Sequence, residues 1–384
     1  MFHSPAYING TGLISPQETA DPSRFLPQIR EYTDDFLSCI DPDYKEYIPP
    51  LAARRMSRLI KMGITSAFMA LRDAGYHSSL STELAEPKQP DAIITGTGLG
   101  SVEDTERILN GMSAGETLMN PTPFIQSTYN TISSQVAIQL RCHQYNSTYV
   151  HRIFSFETAL LDALMQFKEG MAASALVGGI DEITVNHLAI TRRAGHWKTG
   201  PVHNLSVLQS GTPGALAGEG AAYFLLENRV SPSTYARLLS IDTFYKPGTA
   251  RQVQNHIREF LLASGFNESR PDAVILGLNG DSLWDPFYSQ IAHNVFPGIP
   301  WLCYKHLCGE YYTSTGFALW LTANILKRQE VPPALLLNDI KPGRLETVLI
   351  YNQDRNINHS LILTGTAYSS CCAKTDFCYL CLPD

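Results

Sequence analysis

The sequence predicts an α/β protein assembled from two related halves, and three observations carry that prediction. First, residues 90–101 (PDAIITGTGLGS) and residues 271–282 (PDAVILGLNGDS) repeat one segment about 180 residues apart, with six of twelve positions identical. Second, each copy follows a helix-patterned stretch that stops at a glycine, ALRDAGY (70–76) in one case and LLASGF (261–266) in the other. Glycine just past the last apolar helical position is where a left-handed cap ends a helix. Third, each copy is followed at a comparable offset by a helix-length apolar segment, Phe156–Phe167 and Phe317–Leu326. A helix apolar around most of its circumference is buried on all sides. Two such helices, each lying between layers of sheet, narrow the fold class considerably.

The elements follow in order. Tyr7–Ile8 ahead of Gly10 and Gly12 reads as a first strand and its turn. The β-branched, Ile-rich run inside each repeat is a buried strand by length and composition. ASALVGG (173–179) is another central strand, and GEGAAYFLLE (218–227) is a glycine turn leading into a strand. These elements divide the chain into a first half at 1–235, a second half at 236–368 and a short tail at 369–384.

Composition sets the outer bounds. Hydrophobic residues are 44% of the 384 and charged residues only 17%, against roughly 25% charged in an average globular chain. Such a chain covers itself with a large core or a sizeable interface and is not disordered. The net charge is −7, and no Lys/Arg cluster stands out, so neither nucleic acid nor an anionic membrane is an expected partner. No apolar run reaches the ~18–20 residues of a membrane span. Met1–Gln17 lacks a basic start followed by an apolar stretch, so a cytoplasmic location is expected. Cys39, Cys142, Cys303 and Cys308 are dispersed, which suits ordinary buried thiols in a reducing compartment.

Several stretches together resemble the β-ketoacyl-acyl-carrier-protein synthases of the thiolase fold. YINGTGLISP (7–16) is similar to that family's first strand and turn, and RRMSRLIKMGITSAFMALRDAG (54–75) to its arginine-led early helix. ITGTGLGS (94–101) resembles its glycine-rich strand end, and NPTPFIQSTYNTISSQVAIQLR (120–141) its dimer-edge segment. ALVGGIDE (175–182) and GEGAAYFLLE (218–227) match two further motifs. The six lie in family order from Tyr7 to about Gly365. The resemblance implies a thiolase-like, five-layered αβαβα architecture and a dimer built across the two nucleophile-bearing strands.

The family's chemistry condenses an acyl thioester with malonyl held on an acyl carrier protein. It needs a Cys nucleophile where a buried helix starts, since aligned N–H groups there favour the thiolate. It also needs two imidazoles for decarboxylation and for the enolate oxygen. Counting forward from Leu140–Arg141 places the nucleophile near His151, and counting back from Gly170 places it at Ile153, with Arg152 between. Tyr149–Phe156 (YVHRIFSF) contains no cysteine. Ser155 is expected to cap the following helix. Where the family reads Asn-Ala-His-Gly-Thr, this chain has Gly277-Leu-Asn-Gly-Asp281, which puts Asn279 in the first imidazole's place. An amide donates a hydrogen bond but does not exchange protons near pH 7. The family's Lys-x-x-x-Gly-His pattern reads Lys305-His-Leu-Cys-Gly-Glu310 here, with Glu310 in the second imidazole's place. A carboxylate repels an enolate; a structural ion pair with Lys305 is the expectation, ahead of a new acid/base pair. His306 is expected on the other side of the pleat from Lys305. The family's Gly-Phe-Gly-Gly gate loop is replaced by Asn352-Gln-Asp-Arg-Asn356.

No catalytic position is intact, and no cofactor is implied. The resemblance then points to a Cys-less homologue of the chain-length-factor type. In fatty-acid, polyketide and aryl-polyene-like biosynthesis it would pair with a Cys-bearing ketosynthase, shape the acyl tunnel and meet an acyl carrier protein with its acyl chain. Two alternatives stay open: an acyltransferase or decarboxylase with rebuilt residues (His151, His306 or Glu310), and a non-catalytic homodimer that binds acyl chains or carrier protein. Cys371, Cys372, Cys378 and Cys381 crowd the tail. Only half of the paired C-x2-C zinc spacing is present, and adjacent Cys371 and Cys372 make awkward tetrahedral ligands. No metal is assigned; zinc, a local disulfide and a plain thiol tail remain the options.

Overall fold

A computed structural model describes residues 5–76, 88–266 and 270–368, so the cysteine cluster of the tail lies outside the described residues. The first half contributes β1 (Ala6–Ile14), β2 (Ala92–Gly96), β3 (Tyr145–Tyr149), β4 (Ser174–Asp181) and β5 (Gly220–Glu227). The second contributes β6 (Ala236–Tyr245), β7 (Ala273–Leu276), β8 (Trp301–Cys303), β9 (Thr347–Asp354) and β10 (Asn358–Gly365). Their spatial order is β3-β2-β4-β5-β1, then β6-β10-β9-β7-β8. Each half therefore places its third strand outermost, then its second, fourth, fifth and first. The directions match as well. The second strand runs parallel to the third and fourth, while the fifth is antiparallel to the fourth and first. The duplication read from twelve residues of sequence is a duplication of the whole sheet. β1 and β6 pair over three positions and join the two units.

Six helices complete the layers: α1 (Arg58–Asp73), α2 (Thr131–Leu140), α3 (Ser155–Lys168), α4 (Ala250–Ala263), α5 (Asp285–Val295) and α6 (Thr315–Arg328). Successive strand residues face opposite sides of a sheet, and the core divides accordingly. Ile93, Leu176 and Leu225 pack outward with α1 and α2. Their neighbours Ile94, Val177 and Phe224 pack inward with α3 and α6. In the second half Val274, Leu349 and Leu361 meet α4 and α5, whereas Ile275, Ile350 and Ile362 join the central cluster. Sheets covered on both faces explain the near-continuous apolar runs. The layers are helix, sheet, helix, sheet, helix, with α3 and α6 in the middle. Every residue of α6 from Thr315 to Leu326 is buried. Gly96 is where β2 meets the start of α3: a Cβ there would fall on the Ser155 carbonyl. No helix among the described residues is long and apolar enough to cross a membrane.

Candidate functional site

A cavity of about 450 Å³ lies where the two halves meet, at the N-terminal end of α3. Its floor is Ile153 and Leu99, the latter in the glycine-rich turn after β2. One wall comes from the long connection between β4 and β5 and carries His187, His196 and Trp197. The opposite wall comes from the second half, with Asn279, Glu310 and the β9–β10 turn at Asp354–Arg355.

Local sequence explains how these side chains arrive. Chain 152–154 is a single 3-10 turn leading into α3, and it buries Ile153 while Arg152 stays exposed. Arg152 takes a left-handed backbone, φ 49°, which aims the turn into the helix. Ser155 does not cap α3, contrary to expectation. It lies inside the first turn, where its hydroxyl accepts from the His151 N–H at 2.8 Å and donates to the Thr97 carbonyl at 2.9 Å. That pair ties α3 to the β2 turn. His151 is exposed, and its ring stacks on Phe154 at 5.3 Å. Of the three bracketed positions, Arg152 and Ile153 line the cavity and His151 is not among its lining residues.

Asn279, Lys305 and Glu310 come together in one network. Strand β8 runs into a short helical turn, Lys305–Cys308. Gly309, at φ 76°, reverses the chain so that Glu310 lies back over Lys305. The Lys305 ammonium is buried and donates to Glu310 Oε2 at 2.6 Å and to Asn352 Oδ1 at 2.8 Å. Asn279 Nδ2 donates to the same carboxylate oxygen at 2.7 Å, and Asn279 Oδ1 accepts from the Asp281 N–H. The amide, the ammonium and the carboxylate thus satisfy one another. What the network offers the cavity is a neutralised carboxylate with no proton donor or acceptor to spare on its bridging oxygen. His306 sits on the helical turn rather than a strand-to-loop segment. It is buried with Nδ1 3.4 Å from Cys303 Sγ, and burial pushes its imidazole down to about 4. The four described cysteines are all buried and unbridged.

Three buried carboxyls surround the start of α3. Asp181 accepts from the N–H groups of Gly98, Leu99 and Thr313 and from the hydroxyls of Thr97 and Thr313, yet burial still raises it to about 6. Burial likewise raises Glu182 and Glu157 to about 7. Glu157 lies on the buried face of α3; Oε1 accepts from the Ser360 hydroxyl at 2.9 Å and Oε2 has no partner. His187 and His196 are shifted down, chiefly by burial, and stay neutral near pH 7. Neither these histidines nor Glu157 is among the residues that the sequence pattern singles out. The segment 182–219 carries no periodic pattern that would have placed its side chains. Glu157 and Asp162 are both buried on a helix of mostly apolar residues, and acids in such a run are the signal that could have marked Glu157.

The gate-loop replacement is a tight turn. Arg355 and Asn356 are both left-handed, φ 51° and 54°, and the Ile357 N–H closes onto the Asp354 carbonyl at 2.9 Å. Two successive positive φ values are the type I′ pattern, whose twist matches that of a hairpin.

Duplicated five-stranded units, two buried helices and a cavity at the end of one of them are the architecture of the thiolase-like fold. Residues 12–231 match the β-ketoacyl synthase N-terminal domain, and the chain belongs to the β-ketoacyl synthase family. Among solved structures it is similar to the ishigamide ketosynthase/chain length factor, at 18% identity and TM-score 0.74, over 94% of this chain and 99% of that one. A β-ketoacyl synthase from Burkholderia phymatum STM815 matches at 15% identity and TM-score 0.76, over 95% and 100%. A ketosynthase in complex with its chain length factor from Xenorhabdus doucetiae matches at 15% identity and TM-score 0.74, over 95% and 98%. No curated protein sequence matches the chain.

Proposed function

We propose that this chain is a condensation-inactive subunit of the chain-length-factor type, which pairs with a Cys-bearing β-ketoacyl synthase and shapes the acyl tunnel they share. One observation carries the reading. No cysteine stands among His151, Arg152 and Ile153, the positions bracketed for the nucleophile, and the residues mapped to the two imidazoles, Asn279 and Glu310, are bonded to each other and, through Glu310, to Lys305. Condensation needs a thiolate and two proton-exchanging donors, and this set supplies neither. Two of the similar structures named above are of ketosynthase and chain length factor together, which supports a partner of that kind. The unpaired outer edge of β3 and the exposed apolar residues near it in sequence, among them Phe124, Ile125 and Ile138, support an assembly through the first half, which ends near residue 235. An acyl carrier protein and its acyl chain would then reach the partner's site. The test is intact-mass spectrometry after incubation with acyl- and malonyl-carrier protein, alone and with a co-expressed Cys-bearing homologue. The reading requires no covalent acylation and no malonyl decarboxylation by the chain alone, together with co-purification of the homologue. Acylation of the isolated chain would overturn it.

A further inference from the structure

We propose that the cavity is a binding site for a small free carboxylate with a flat apolar body, its charge held between Arg152 and Arg355. The inference stands on the cavity itself and not on the partner-subunit reading. Both guanidinium side chains line the cavity, and among the described residues neither has a hydrogen bond or ion pair. They come from separate elements, the turn into α3 and the β9–β10 turn, and each stands on a left-handed backbone. A guanidinium fork matches a carboxylate.

None of the acids lining the cavity forms an ion pair with either arginine. Asp181 is saturated by its donors. Glu310 is bound by Lys305 and Asn279. Glu182 accepts from the Glu103 N–H, and Asp281 from that of Leu283. The Asp354 carboxylate has no hydrogen-bond partner, and Arg152 and Arg355 are the two cavity-lining cations left without one among the described residues. Behind the charges lie the rings of Trp197, Trp284 and Tyr312 and the side chain of Ile153. Flat apolar surface lies there, with no nucleophile at the floor to consume a ligand. A cavity of this size with few convergent polar groups is typical of small-molecule sites.

The test is isothermal titration calorimetry of the full chain with trans-cinnamate, its neutral amide and inorganic phosphate. Cinnamate should bind with a dissociation constant below ~1 mM, the amide at least tenfold more weakly. Arg152→Asn and Arg355→Asn should each weaken cinnamate tenfold or more at unchanged melting temperature, since asparagine tolerates the left-handed backbone. Equal binding of acid and amide by the unaltered chain would overturn the proposal, whatever the variants do. So would the absence of cinnamate binding up to several millimolar. Phosphate binding more tightly than cinnamate would also overturn it, assigning the arginines to the phosphate of a carrier-borne arm.

Discussion

The two halves share one strand order, and they differ at two matched places. The first is the outermost strand. In the second half β8 is covered: Leu302 bridges to Leu336, the Leu337 N–H bonds the Trp301 carbonyl at 2.8 Å, and Asn338 caps the Trp301 N–H. In the first half β3 has no strand on its outer side, and all five of its residues are partly or fully exposed. The segment leading up to it exposes Leu109, Met112, Leu118, Phe124, Ile125 and Ile138, each by more than half. Natural sheets blunt their free edges, so an edge sealed in one copy and open in the other is where the proposed partner would add. The second place is the connection from fourth to fifth strand. It is a three-residue turn in the second half and the segment 182–219 in the first. These two versions of one connection form facing walls of the cavity.

The largest expected effect separates the two edges. Leu302→Asp puts an unpaired charge into the sealed edge, where Leu302 is 0% exposed, and should cost about 4 kcal/mol or more, enough to prevent folding. Ile138→Asp near the open edge should leave the melting temperature within a few degrees and abolish co-purification of the partner, read by light scattering. A folded Ile138→Asp chain that still assembles would erase the distinction between the edges.

Next in size is the wall supplied by the second half. Lys305→Met leaves the partly buried Glu310 carboxylate without its cation, and should cost up to about 3 kcal/mol, since the full cost of about 3–5 kcal/mol applies to a wholly buried pair. The double change Lys305→Met/Glu310→Gln should recover much of that loss in denaturant melts. Failure of the second change to help would mean Lys305 stabilises through contacts other than Glu310.

The central helices differ too, because α3 buries two acids, Glu157 and Asp162, and α6 none. Glu157 ionises at about 7 in the folded chain against an ordinary 4.5. Between those values the native state holds a proton that the unfolded state releases, so stability falls as pH rises from 4.5 to 7. The effect is at most about 3 kcal/mol. Asp181 and Glu182 act in the same direction, so the informative quantity is a difference. Glu157→Gln should gain stability over the unaltered chain at pH 8 and little at pH 4.5. An equal gain at both pH values would show that Glu157 does not titrate in this window.

What the sequence disclosed tracks what is local. The repeat at 90–101 and 271–282 carried the strands β2 and β7 because a buried strand and its glycine turn are contiguous. The Lys305–Glu310 pair was readable for the same reason, five positions apart across Gly309. Asn279 joined it only in space, through a turn held by the Asp285 carboxylate. The cover over β8 comes from residues some thirty-five positions away, and the cavity wall at His187 and His196 from a long connection without period. The expectation for Ser155 failed because a hydroxyl beside a helix start has two uses. Here the close approach permitted by Gly96 brought the Thr97 carbonyl within reach first.

The smallest expected effect is the sharpest check on the mapping of the cavity floor. Ile153→Cys would set a thiol at the start of α3, where the helix amides lower a thiol's pKa. Elongation still requires malonyl to lose carbon dioxide and the enolate to be held. Across from Ile153 the available groups are an amide already committed to Glu310 and a carboxylate already committed to Lys305. The variant should therefore show no elongation above background when assayed with acyl- and malonyl-carrier protein, with its melting temperature confirming a folded chain. Elongation by this single change would mean that other groups supply the proton chemistry, with the neutral imidazoles of His187 and His196 first in line, and that the first half's long connection, not the second half's network, is the working wall of the cavity.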